Sequence, residues 1–160
     1  MTKIVSFSGV SNSGKTTLIK GLCELLIPEF KVGVIKHDPK DKVRFDTIGK
    51  DSYKFFESGA NVAVISPSQT TIRFQNTLQN DIVMDILNHC EPLDYIFIEG
   101  FKTMPYRRIC VVRDNFVEYD IENADAIATI NIDNKSFKNK TLLNLNNHNE
   151  ILEWIDHLRW

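Results

Sequence analysis

Gly9-Val10-Ser11-Asn12-Ser13-Gly14-Lys15-Thr16 is the stretch from which the rest of the chain is read. Its constrained positions fit G-x-x-x-x-G-K-[ST], a loop that wraps phosphate groups. Ile4-Val5-Ser6-Phe7-Ser8 in front of it is a short, mostly apolar strand candidate, and Thr17 to Leu26 behind it has the apolar spacing of a helix with one buried face. Gly9 and Gly14 let the backbone curl so that successive N–H groups converge on an anion, and the following helix turns its positive end toward the same point. Lys15 is then placed to reach β- and γ-phosphates, and the Thr16 hydroxyl to ligate a bridging Mg2+.

The outer bounds are consistent with a small intracellular binding domain. At 160 residues the chain can bury a core without disulfides or metal staples, so a single phosphate-loop domain spanning 1–160 is expected. A formal charge of −2 and a pI near 6.1 argue against a nucleic-acid or membrane-surface role. Cys23, Cys90 and Cys110 are widely spaced in apolar surroundings and read as buried thiols of a reducing compartment. The N-terminus runs straight into a strand and no apolar run approaches the roughly 18 residues of a membrane span, so a cytoplasmic location is expected.

Further along, Val32 to His37 reads as a second strand buried on both faces, and 38–50 as a polar loop of functional length. Asp51 to Ser58 suits a short helix stopped by Gly59. Val62 to Ser66 and Thr70 to Phe74 suit an antiparallel hairpin across Pro67-Ser68-Gln69. Asp81 to Cys90 and Asn149 to Arg159 carry helical stripes, and Tyr95 to Ile98, Arg108 to Arg113 and Ala126 to Ile132 read as strands. Asn144 to Asn149 reads as a solvated turn leading into the last helix. The alternation predicts an α/β fold of the phosphate-loop NTPase type: a wound, mostly parallel sheet flanked by helices, plus the hairpin.

A phosphate loop needs a carboxylate on the metal side, supplied from the end of an apolar strand beside the first one. Glu99 meets that description, as a metal ligand or as the group that orients water, and Gly100 would let the backbone pass a γ-phosphate. Asp94 starts the same strand and falls at the wrong edge. Lys36, His37 and Asp38 emerge where the second strand ends. Asp38 or Asp46 is a candidate to complete the metal shell, and Lys36 and His37 to meet a second anion. Arg44, Lys50, Lys102, Arg107 and Arg108 are the remaining cations on expected loops or strand ends. Catalysis is expected to be slow, because no water-positioning Gln or general base stands near the loop; Arg44, Arg107 or Arg108 from a second subunit is a candidate finger.

These residues together resemble the molybdopterin-guanine dinucleotide biosynthesis adapter (MobB) family. The resemblance rests on the loop and its extension to Leu18, K-H-D-P at Lys36 to Pro39, F-D-T-x-G-K-D-S at Phe45 to Ser52, S-G-A at Ser58 to Ala60, and I-E-G-F-K at Ile98 to Lys102. It covers the first two-thirds, and Ile48 departs from it where the family commonly has Pro. The resemblance implies a GTP-binding protein with weak GTPase activity that assists the guanylyltransferase (MobA-like) attaching GMP to molybdopterin. It also implies a homodimer joined through the hairpin region, about Val62 to Phe74. Carried over by motif, Gly9 to Thr17, with Ser11, Asn12, Ser13 and Thr17 among them, bind the phosphates. Glu99 occupies the acidic strand end, and Lys36, His37, Asp38 and Asp46 line a shared cleft with Lys102 nearby. Guanine selectivity comes from the resemblance alone, since Asn134-Lys135-Ser136-Phe137 lacks the Asp of an N-K-x-D reader. A small-molecule kinase and a nucleotide-dependent dimeric scaffold are the competing readings.

Overall fold

The computed structural model of the chain describes residues 1–131, 137 and 139–159. Asn134, Lys135, Ser136 and the end of the strand expected to reach Ile132 lie outside the described residues. The chain packs as two compact units, Met1–His37 with Glu91–Trp160 and Asp38–Cys90.

The first unit is a six-stranded sheet with every neighbouring pair parallel. Its strands are β1 (Lys3–Ser8), β2 (Val32–Lys36), β5 (Tyr95–Glu99), β6 (Arg107–Val112), β7 (Ala126–Thr129) and β8 (Thr141–Asn144), in the order β2-β5-β1-β6-β7-β8. Alternate residues point to opposite faces. Val5, Phe7, Tyr95, Phe97, Ile109, Val111 and Leu143 therefore build one core with α1 (Lys15–Leu26) and α5 (His148–Asp156), whose apolar stripes supply Leu18, Leu22, Ile151 and Ile155. The intervening residues Cys110, Val112 and Ile127 meet Ile121 of α4 (Glu118–Glu122), Ala124 and Phe137 in a second cluster.

The second unit holds α2 (Asp51–Glu57), the hairpin of β3 (Val62–Ile65) and β4 (Thr70–Arg73), and α3 (Asn80–Cys90). The hairpin pairs Val62 with Arg73 and Ile65 with Thr70 as a separate antiparallel ribbon. Ser66 closes it, its backbone N–H and its hydroxyl both donating to the Gln69 carbonyl.

Four expectations are corrected. The strand at Val32 is not buried on both faces: β2 is the sheet edge, and Val34 is 45 % exposed. The asparagine-rich stretch leads into the last helix as expected but is not turn throughout. Asn144 ends β8, and Asn147 caps α5 by accepting from the Glu150 N–H at 3.3 Å, while Glu150 takes the Asn144 N–H at 3.1 Å. β8 and α4 are not among the expected elements: α4, at five residues, is too short to show a helical period, and β8 runs directly into the asparagine-rich stretch read as a turn. The cysteines are not uniformly buried: Cys110 is, Cys23 is partly so and Cys90 is exposed.

The thiols should therefore react unequally. Burial, with the Asp120 carboxylate adding to it, pushes the Cys110 thiol up to about 11. At pH 8 only about one molecule in a thousand would carry its thiolate. Iodoacetamide labelling of the native chain followed by mass spectrometry should modify Cys90 first and Cys110 only after denaturation; early modification of Cys110 would contradict this packing.

Candidate functional site

The phosphate-loop segment leaves β1 at Ser8 and re-enters regular structure at Lys15. Gly9 has φ 129°, and a Cβ on it would lie 2.4 Å from the Val111 carbonyl oxygen, so no other residue fits without moving the β6 backbone. Asn12 (φ 63°) and Gly14 (φ 102°) take left-handed conformations that complete the curl. Gly14 is the N-cap of α1 with no side-chain cap, and no acidic residue stands in the first turn. The leading amides of this twelve-residue helix are thus left to an external acceptor.

Lys15 folds back over the loop, donating to the carbonyls of Gly9 at 2.9 Å and Val10 at 2.7 Å. Burial lowers its pKa below the ordinary lysine value, Lys102 and Lys36 act in the same direction, and Glu99 and Asp120 oppose it. Three lysines and two carboxylates therefore share this corner, an excess of one positive charge suited to a polyanion.

The second half is placed by strand register. Phe7 of β1 and Lys36 of β2 both pair with Glu99 of β5, so the three strand ends finish in one row. The Thr16 hydroxyl, at the start of α1, hydrogen-bonds Glu99 Oε1 and Oε2, both at 3.2 Å. Lys36 Nζ lies 3.0 Å from Oε1. Two hard oxygen donors facing each other suit Mg2+, which keeps several waters and takes phosphate oxygens as further ligands. Among the described residues no group of three or more His, Cys, Asp or Glu could hold a metal by itself.

Beyond Glu99 the backbone turns through two left-handed residues, Gly100 (φ 94°) and Phe101 (φ 49°). The Gly100 N–H donates to the Phe7 carbonyl at 3.1 Å, extending the ladder. Glycine is required there for a second reason: a Cβ would stand 2.9 Å from the His37 Cβ. The His37 ring stacks on Phe101, centroids 4.3 Å apart at 24°, and so holds a bulky residue in a strained conformation. Lys102, expected in the cleft, pairs with the buried Asp120 of α4 at 2.7 Å, and the other Asp120 oxygen is buried without a hydrogen-bond partner among the described residues.

Asp38 and Asp46 belong to the second unit and are described within it. Asp38 Oδ2 accepts from the Val43 N–H at 2.7 Å and the Lys42 N–H at 2.5 Å, and these backbone bonds, Val43 first, hold its carboxyl below the usual range. Burial works against ionisation of Asp46, but Ser52, the Thr47 amide and Arg73, 2.8 Å away, outweigh it and lower its pKa. Arg73 also lies over the Phe56 ring, 3.6 Å from the centroid. These side chains line a cavity of about 990 Å3 together with Arg44, Phe45 and Tyr53.

The finger candidates are differently placed. Arg108 is buried, bonded to Ser6 Oγ and the Met104 carbonyl, and cannot reach a second subunit. Arg107 pairs with Asp125 at 2.8 Å, at the start of β6 and so away from the loop. Arg44 lies on Asp41 within the second unit. The cation that sequence reasoning missed is Arg113, exposed just past β6. Its Nη2 is 3.8 Å from where a Cβ on Gly14 would be. In the sequence it reads as the last residue of the strand from Arg108 to Arg113, and its place at the carboxyl edge is the signal that points to it.

The profile of the family described as MobB, molybdopterin guanine dinucleotide synthesis protein B, matches residues 4–132. The molybdopterin-guanine dinucleotide biosynthesis adapter protein of Escherichia coli is 31 % identical over 119 residues, 71 % of this chain and 67 % of that protein. A relative from Methanocaldococcus jannaschii is 32 % identical over 100 residues, 62 % of this chain; the match spans only 41 % of that longer protein. The crystal structure of Bacillus subtilis MobB superposes with a TM-score of 0.76 at 23 % identity, covering 98 % of each chain, a likeness of fold.

Gly100→Ala should destabilise the chain by about 2–4 kcal/mol, combining a left-handed alanine with overpacking against His37. Urea denaturation checks this, and His37→Gly in the same chain should return part of the loss.

Proposed function

We propose, from the premise that this chain belongs to the molybdopterin guanine dinucleotide synthesis protein B (MobB) family, that it is a cytoplasmic GTP-binding accessory protein with weak GTPase activity. In this reading it assists a MobA-like guanylyltransferase in attaching GMP to molybdopterin. The observation that carries the nucleotide half is the open loop from Gly9 to Thr16 set against Glu99, with Lys15 on one side and the uncapped start of α1 on the other.

In this reading the loop amides and Lys15 hold the β- and γ-phosphates, and Thr17 continues the first turn beside them. Thr16 and Glu99 would hold Mg2+, which supplies charge neutralisation between the phosphates. Slow hydrolysis is supported by the composition of the loop-bearing unit, which contains no glutamine to position water. Of the three finger candidates, Arg107 and Arg108 are tied to their own neighbours and Arg44 to Asp41, so none of the three stands free for a second subunit. A rate deficit of about 10³ to 10⁵ is the usual consequence.

The homodimer is supported by apolar surface on the hairpin. Ile65 is 81 % exposed, Ile72 50 %, Val64 44 % and, just past β4, Phe74 41 %. Such an edge is stabilised by a second copy. The kinase reading loses ground because the lone arginine of 38–50, Arg44, is engaged by Asp41. No helix among the described residues is long and apolar enough to cross a membrane, which fits the proposed location without deciding it.

Calorimetric titration should show GTP·Mg2+ binding to the wild-type chain, and Lys15→Ala should weaken it by at least about tenfold, the cost of one charge-assisted hydrogen bond. Equal affinity in the variant would overturn the site, and preference for ATP in competition would overturn the guanine assignment alone. Arg113→Ala should weaken triphosphate binding by about three- to tenfold while leaving the melting curve of the free chain in place.

A further inference from the structure

Glu99 has two partners with opposite implications for a metal. The Thr16 hydroxyl, 3.2 Å from each carboxylate oxygen, belongs with a divalent cation as a fellow ligand. The Lys36 ammonium, 3.0 Å from Oε1, is a cation already there. One carboxylate cannot be fully engaged by both, because a metal on Oε1 would stand within a few ångströms of the ammonium and repel it.

The strand register makes the competition unavoidable. Lys36 is the direct neighbour of Glu99 across the β2–β5 ladder, and paired residues send their side chains to the same face. Lys36 is also the partner able to leave: its side chain is 47 % exposed against 15 % for Glu99, and it ends an edge strand. The other two lysines of the corner are held elsewhere, Lys15 by the Gly9 and Val10 carbonyls and Lys102 by Asp120.

We propose that Lys36 is a resident counter-ion that competes with the divalent cation for Glu99 and thereby sets how strongly triphosphate binding depends on metal. The inference rests on the reading of this corner as a triphosphate site. Without metal, Lys36 neutralises Glu99 and keeps its negative charge from repelling the phosphates. With metal bound, the lysine arm is released to solvent or to a phosphate oxygen. The site is consequently less metal-dependent than one in which the carboxylate stands alone.

The test is the dissociation constant of a fluorescent, non-hydrolysable GTP analogue, measured in EDTA and in saturating Mn2+ on the full chain. In Lys36→Met the ratio of the two constants should widen by about tenfold or more relative to wild type, within the usual range of coupling between two ligands. Lys36→Arg should keep the ratio within about twofold of wild type. An unchanged ratio in Lys36→Met overturns the proposal even if both affinities fall together, because that pattern means only lost phosphate contact or lost structure. A wild-type chain that binds the analogue in neither buffer overturns the triphosphate reading as well, so the two failures are told apart. Mn2+ titration of the chain saturated with the analogue, read by electron paramagnetic resonance, is the second measurement. Lys36→Met should retain Mn2+ more tightly than wild type, and the difference should vanish in a Glu99→Gln background; equal retention in all chains overturns the proposal.

Discussion

The common finish of three parallel strands is the constraint on which the rest of the molecule depends. β2, β5 and β1 are in step, so Lys36, Glu99 and Phe7 end in one row and the loop after β1 opens over the same edge. Thr16 and Glu99 are 83 positions apart in the chain and meet only because of that alignment. A parallel sheet buried on both faces tolerates little slippage, since a shift of one residue would turn Phe7 and Phe97 from one core into the other. The apolar packing that fixes the register thus also fixes the distance between the hydroxyl and the carboxylate.

Around this row the fold collects charge and strain. Lys15 is partly buried with other lysines near it, Asp120 keeps one buried oxygen without a partner among the described residues, and Phe101 sits in a left-handed conformation under the His37 ring. Each is unfavourable in a ligand-free chain and is held in place by the well-packed sheet beneath. Such features gather where a protein must present charge to a ligand, and their concentration at one edge of one unit is independent support for placing the site there.

The second unit is organised by different physics. Its carboxylates, Asp38 and Asp46, are saturated by backbone amides, Ser52 and Arg73, and its apolar side chains are largely exposed. It has little core of its own; none of the residues of α2 is buried. The segment Phe45 to Ser52, one of those that carry the family resemblance, lies here, and its Asp46 accepts from the Thr47 amide, the Ser52 hydroxyl and the Arg73 guanidinium.

The amino-acid sequence by itself determined the glycine-bearing loop from Gly9 to Thr16, the succession of strands and helices apart from β8 and α4, the hairpin, and the place of Glu99 at the end of an apolar strand. These features are local: fixed glycine positions, short apolar runs and the residue at the end of a run are all readable along the chain. Packing decided the remainder, because it depends on which residues become neighbours across the sheet. The edge position of β2, the pairing of Lys36 with Glu99, the fit of Gly100 against His37, the burial of Arg108 and the approach of Arg113 to Gly14 are all of that kind. No pattern along the chain encodes a contact between residues dozens of positions apart; it exists only once strand register and helix packing have brought the two side chains together.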